Sequence, residues 1–166
     1  MWAVVKLKKN CNIEDLRINL KNLFLAQPIL YSPKILKQNI KGNKFQNKNH
    51  YILGNYMLVF HEKLKDKFFF NKLKFTKGIE IVLKGFEYSQ NEIKTFVAKC
   101  KNNENKYGYL IQDFFINNFN KKIKFCSGPF INFAINLIEV QSNKISVLAG
   151  KYKITVKKKN NYLVSC

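Results

Sequence analysis

The sequence predicts an α+β region through residue 101 followed by a compact all-β module. Three observations carry this reading. Two apolar stripes at helical spacing, Ile13/Leu16/Leu20/Leu23/Phe24 and Ile93/Phe96/Val97/Cys100, fall within the first hundred residues, between short apolar runs typical of strands. A polar, glycine-punctuated stretch, KNNENKYGY at 101–109, then interrupts the pattern. Beyond it apolar residues recur in twos, at Ile131/Phe133/Ile135/Leu137, Ile145/Val147/Ala149 and Tyr152/Ile154/Val156. Those alternating runs are separated by turn signals at Gly128-Pro129, Ser142-Asn143 and Gly150-Lys151. Four or five short strands without a helix make a small barrel. The boundaries follow: an α+β domain at 1–101, a linker at 102–117 and a barrel at 118–166.

In chain order, WAVVKL at 2–7 is rich in β-branched residues and reads as a strand. Asn12 stands at an N-cap position, with Glu14 and Asp15 in the first turn against the positive end of the helix dipole, so 12–25 is a helix. Pro28 and Pro33 bracket an extended ILYS segment. The polar run 37–50, with Gly42 near its middle, reads as a loop or hairpin tip. YILGNYMLVF at 51–60 is the most apolar stretch and predicts an interior strand. Lysines and phenylalanines in 63–73 do not alternate cleanly, which favours a short helix. IEIVLKG after Thr76-Lys77-Gly78 is a strand, and Ser89 with Glu92 forms a capping box that opens a helix over 90–101.

Composition limits the function. The chain has 166 residues, 46% of them hydrophobic, enough to build a core. No run approaches the ~18 uncharged apolar residues that a membrane span requires. The N-terminus MWAVVKLKKN has no signal-peptide pattern, and the chain reads as a cytoplasmic protein. Cys11, Cys100, Cys126 and Cys166 stand far apart with no CxxC and no nearby histidine pair, so neither a metal nor another cofactor is expected. His50 and His61 have no serine or cysteine in a nucleophile setting. Gly78 and Gly85 bracket an apolar strand rather than a phosphate loop, and the ten carboxylates form no matched pair. A binding function, not an enzyme, is the expectation.

The formal net charge is +20, from 30 basic and 10 acidic residues. It is spread along the chain, with 20 basic against 7 acidic residues in 1–101 and 10 against 3 in 102–166. Such an excess attracts polyanions. Arg17 is the sole arginine, however, and arginine is the better reader of guanine edges and phosphate forks. Weak, sequence-independent contact with nucleic acid is therefore expected. A Lys/Asn/Ile/Phe bias inherited from AT-rich coding is the competing explanation of the charge.

The run KIKFCSGPFINFAINLIEV at 122–140 takes a short basic strand into a Gly128-Pro129-Phe130 corner. Glycine permits the unusual dihedrals, proline fixes the next one, and the phenylalanine plugs the barrel end, a structural role that needs no ligand. With WAVV, a helix, GNYMLV, FTKGI, a capped helix and a linker ahead of it, this SGPFxxF run resembles the NusG family of transcription elongation factors over nearly the whole chain. The resemblance implies an N-terminal α+β domain, an antiparallel sheet with flanking helices, and a C-terminal SH3-like KOW barrel. There are departures. The Pro-Gly-Tyr usual in the family is Gly54-Asn55-Tyr56, and an Asn before that Tyr also occurs in specialised RfaH-like paralogues. A KOW glycine is replaced by Ile135, and a loop aromatic by Ala149.

In that family the N-terminal domain lays an apolar face of its sheet on the clamp helices of RNA polymerase and discourages pausing. Carried over, the resemblance gives Tyr56 and Leu58 on the central strand, and Ile93 and Phe96 on the adjacent helix, as polymerase contacts. The alternative is that these residues are core. Lys74 and Lys77 become candidates for the nucleic-acid backbone, or else plain solvated lysines. The barrel's usual partners, the ribosome and the termination factor Rho, are put in doubt by Ile135 and Ala149. A monomer is expected, with no membrane partner. The competing class is a general RNA-binding or ribosome-associated KOW protein, whose activity would reside in the barrel.

Overall fold

The computed structural model describes residues 1–41, 44–111, 114, 122–125, 134–140, 144–149, 152–157 and 163–165. The chain is mixed α+β with antiparallel sheets and divides into two compact units, one of residues 1–33 and 51–98, the other of 34–50 and 99–166.

The first unit opens with β1 (Trp2–Leu7) and α1 (Ile13–Phe24). Asn12 caps α1, its Oδ1 accepting from the Glu14 N–H at 2.9 Å, and the helix ends at Leu25 in the left-handed region (φ 56°). Next come β2 (Ile29–Tyr31), β5 (Tyr56–Phe60), a 3-10 turn (Glu62–Lys65), α2 (Lys67–Lys74), β6 (Ile79–Val82) and α3 (Gln90–Asn102), which runs on into the second unit. The strands form one sheet in the order β2-β5-β1-β6, with every neighbouring pair antiparallel. With α1 between β1 and β2, and α2 between β5 and β6, this is a βαββαβ arrangement.

Alternation along β1 and β5 sorts their side chains onto two faces. Ala3, Val5, Leu7, Met57 and Val59, joined by Ile79 and Val82, bury one face against Leu16, Leu20 and Phe24 of α1 and Leu73 of α2. Trp2 and Leu58 bury the other against Val97 of α3. The sheet is thus sandwiched, with α1 and α2 on one side and α3 on the other.

The strand expected across 51–60 is shorter than the apolar run. Residues 52–55 form a turn with Gly54 at φ 59°, and β5 begins at Tyr56. The helix expected in 63–73 breaks at Asp66, whose carboxylate accepts from the Phe68 N–H at 2.8 Å and starts α2 afresh.

The second unit holds β3 (Lys34–Lys41) and all but the last residue of β4 (Lys44–Tyr51), two strands that pair with each other, where a loop or hairpin tip was expected across 37–50. The stretch 103–111 is a hydrogen-bonded turn. The Asn105 side chain accepts from the Tyr107 and Tyr109 N–H groups, Gly108 takes φ 73°, and the Leu110 N–H donates to the Lys34 carbonyl at 2.9 Å. Among the described residues five further strands follow: β7 (Lys122–Phe125), β8 (Ala134–Val140), β9 (Lys144–Ala149), β10 (Tyr152–Lys157) and β11 (Leu163–Ser165). They pair antiparallel in the order β10-β9-β8-β7-β11.

The expected period of two is visible in Ile145, Val147 and Val156, all buried. Ser146 is buried as well, its hydroxyl 3.2 Å from that of Thr155 on the paired strand. Among the described residues no pairing joins β10 to β11, so what is seen is an antiparallel sheet rather than a closed barrel. Gly128, Pro129 and Phe130 lie outside the described residues, as do Ile131, Phe133 and Gly150. Among the described residues no helix is long and apolar enough to cross a membrane.

Candidate partner-binding face and basic surface

Two surfaces of the first unit hold the residues singled out by sequence. The first is built on β5. Alternation places Tyr56, Leu58 and Phe60 on one face of that strand, the face that α3 covers. Leu58 is 4% exposed and forms a small cluster with Trp2 and Val97, against which Ile93, Phe96, Val4, Tyr31, Leu53 and Phe60 pack while still partly exposed. Three of the four expected contact residues, Leu58, Ile93 and Phe96, therefore meet in one cluster. Leu58 supports it from beneath. Tyr56, 37% exposed, stands beside it on β5, and Tyr51 is also exposed. The accessible surface is thus the rim of Tyr56, Ile93 and Phe96.

The position of α3 is fixed by a residue that patterning does not reveal. Gln90, in its first turn, accepts from the Trp2 N–H at 2.9 Å and donates to the Trp2 and Phe86 carbonyls, each at 2.8 Å. Pairing between β6 and β1 reaches only Val5 to Leu7, with the Leu83 N–H donating to the Val4 carbonyl just beyond. The end of β1 at Trp2 thus lacks a strand neighbour on that edge. The Gln90 amide substitutes for one, presenting one acceptor and one donor as a strand backbone would.

The second surface is α2 and the turn after it. Lys67, Lys72, Lys74 and Lys77 are all exposed, and no carboxylate interrupts the chain between Asp66 and Glu80. Lys74 Nζ donates to Asn71 Oδ1 at 3.2 Å and lies 4.3 Å from the Phe70 ring centroid. Lys77 projects from a tight turn closed by the Thr76 N–H to Leu73 carbonyl and Ile79 N–H to Thr76 carbonyl bonds, each 3.1 Å. Gly78 is required here: its φ is 98°, and a Cβ would sit 2.7 Å from Cys11 Sγ.

Lys77 and Lys8 border a cleft of about 320 Å³ lined also by Asn10, Asn12, Asp15 and Asn19. Burial, followed by the Asp15 charge, pushes the Cys11 thiol in this cleft upward from its ordinary value. It stays protonated at neutral pH and is a poor nucleophile.

The two histidines occupy separate settings. His50 lies exposed on β4. His61 stacks on Phe24 (centroids 4.4 Å apart, 7° between planes), and its Nδ1 accepts from the Lys63 N–H at 3.2 Å, capping the 3-10 turn. Among the described residues no three His, Cys, Asp or Glu side chains converge as a metal site. No protein-family model matches the chain, and no curated protein matches it.

Proposed function

We propose that this chain is a transcription elongation or antitermination factor of the NusG type, which binds the clamp helices of RNA polymerase through its first unit and modulates pausing or termination. The observation that carries this reading is the α3–β5 cluster: a partly exposed rim of Tyr56, Ile93 and Phe96 seated on buried Leu58, Trp2 and Val97. A firm apolar base with an aromatic rim is what a partner helix needs for docking. The order of motifs along the sequence supplies the rest of the support, together with a five-stranded antiparallel C-terminal sheet whose last strand pairs with its first. Lys74 and Lys77 contribute sequence-independent phosphate contacts on the α2 side. The Gly54-Asn55-Tyr56 and Ile135 departures favour a specialised paralogue over the general factor.

The decisive experiment is capture of RNA polymerase by the full-length chain after nuclease treatment, comparing wild type with Tyr56→Ala. Retained polymerase binding, weakened by about 1–3 kcal/mol in the variant, is the expected result. Binding that disappears with nuclease would instead favour an RNA-binding or ribosome-associated protein.

A further inference from the structure

Within the expected linker, residues 103–111 fold back on themselves and are fastened to β3 and β4. A bridge joins Glu104 to Leu110, and the Ile111 N–H donates to the Asn103 carbonyl at 2.8 Å. The two ends of the stretch therefore stand one hydrogen bond apart. Asn105 holds its middle. Its N–H donates to the Tyr109 carbonyl at 2.8 Å, its carbonyl accepts from the Gly108 N–H, and its Oδ1 accepts from the Tyr107 and Tyr109 N–H groups. Gly108, at φ 73°, permits the reversal. The fastening points are Lys34 and Asn49. Tyr109 bridges Lys34 in parallel, its ring centroid lies 4.7 Å from Lys34 Nζ, and its hydroxyl donates to Asn49 Oδ1 at 2.9 Å. Beside it the Leu110 N–H donates to the Lys34 carbonyl at 2.9 Å. Leu110 is the one residue of 103–111 that is buried, and the side-chain bonds of Asn105 and Tyr109 are exposed to solvent. A segment tied mainly by exposed bonds opens at a lower free energy than the strands around it.

We infer that residues 103–111 are a clasp that stores chain length between α3 and the C-terminal strands. Fully extended, a stretch of this size spans about 30 Å. Folded, it adds almost nothing to the distance between the end of α3 and Ile111. The clasp also moves the anchor of the C-terminal strands from the end of α3 to Lys34, the first residue of β3. Closed, it restricts how far from β3 and β4 those strands can hold a partner. Opened, it lengthens the connection by up to about 25 Å. This device regulates reach, and it holds whichever partner the C-terminal strands carry.

The test combines amide hydrogen exchange with small-angle scattering on the full-length chain. In the wild type, the amides of Tyr109, Leu110 and Ile111 should exchange well below the rate of unstructured chain. Tyr109→Phe, which drops only the hydroxyl bond to Asn49, should speed their exchange by roughly 2- to 12-fold. Tyr109→Ala removes the ring as well, and Gly108→Val forces a β-branched residue to positive φ. Either change should abolish the protection and raise the maximum dimension by up to about 25 Å, while amides of β8 and β9 stay protected. Gly108→Asn, whose side chain tolerates the left-handed region, should keep the clasp closed. Wild-type exchange at 109–111 as fast as unstructured chain overturns the clasp. Lost protection with an unchanged maximum dimension refutes the stored reach. If amides of β8 and β9 lose protection together with 109–111, the stretch is part of the C-terminal fold and not a clasp, which also overturns the inference.

Discussion

Replacing Gln90 by alanine should disturb partner binding without touching the partner. The side chain makes three hydrogen bonds of 2.8–2.9 Å, two to the backbone of Trp2 and one to the Phe86 carbonyl. Trp2 is 7% exposed, so its N–H and C=O would be left at a site water reaches poorly. An orphaned buried polar group costs about 1–3 kcal/mol, and two of them, partly relieved by entering water, put the loss at roughly 2–4 kcal/mol. Gln90→Glu should be worse at neutral pH. It loses the donor that serves two carbonyls and sets a carboxylate against both, a penalty that protonation relieves as pH falls. Trp2 is the chain's only tryptophan, so its fluorescence during urea unfolding reads the perturbed site directly. The expected result is an earlier transition with unchanged slope, in the order wild type, Gln90→Ala, Gln90→Glu. Equal stability of all three proteins would refute the reasoning and reduce Gln90 to a surface residue.

Other substitutions and conditions separate support from contact. Leu58→Ala should cost about 2–5 kcal/mol in unfolding free energy by opening a cavity under α3, whereas Tyr56→Ala should leave stability nearly unchanged while weakening polymerase capture. His61 titrates below its ordinary value of 6.5, chiefly through burial and then through the Lys63 charge, with the N-terminal amine adding to the shift and Glu62 opposing it. A lowered folded-state value means that the unfolded chain takes up the proton first. The stabilisation from neutral His61 is therefore complete above pH 6.5 and lost as pH falls through the folded-state value, a slope that His61→Gln should abolish in denaturant titrations. Gly78→Ala should destabilise by more than about 1 kcal/mol, and Cys11→Ala should restore only the part due to the 2.7 Å contact, because the positive φ remains. Salt should weaken binding of any oligonucleotide steeply, with a smaller log–log slope in the Lys74→Gln/Lys77→Gln variant.

Sequence patterning reached the helices and strands of the first unit because their signals are local. Asn12 caps α1, and the Ile93/Val97 stripe turns α3 toward the sheet. It failed where a short-range signal competed with a longer one. The apolar run 51–60 concealed the turn that Gly54 makes, and the polar run 37–50, read as a loop or hairpin tip, concealed two eight-residue strands, since lysines and asparagines are poor strand formers that still pair through backbone. At the candidate site, the grouping of Leu58, Ile93 and Phe96 was legible from spacing once a resemblance supplied the pairing of strand and helix. The burial of Leu58 was not, because alternation assigns a face but not what covers it. Gln90 was invisible for a different reason: a lone polar residue in a first helical turn looks solvated until the truncated pairing of β1 and β6 is known.

That pairing ties stability to function in this unit. Had β6 extended to Trp2, a strand backbone would satisfy the β1 edge, and α3 would be anchored only by its apolar stripe. Because β6 stops short, the edge is completed by a side chain from α3, and the helix bearing Ile93 and Phe96 is fixed to the strand bearing the Trp2 backbone. Trp2 in turn packs on Leu58, which lies two residues from Tyr56 on β5. The rim of the proposed docking face is thereby held from two directions, by hydrogen bonds at the start of α3 and by packing along β5. Loss of either support should loosen the rim before the sheet melts, since the larger core beneath α1 and α2 contains neither Trp2 nor Gln90 and meets Gln90 through the Phe86 carbonyl, which also accepts from the Ser89 N–H. Hydrogen exchange offers the check: in Gln90→Ala, amides of α3 should lose protection while those of Val5 and Val59 keep it. Uniform loss across both faces would mean that the two layers unfold as one, and that α3 has no independent part in presenting the site.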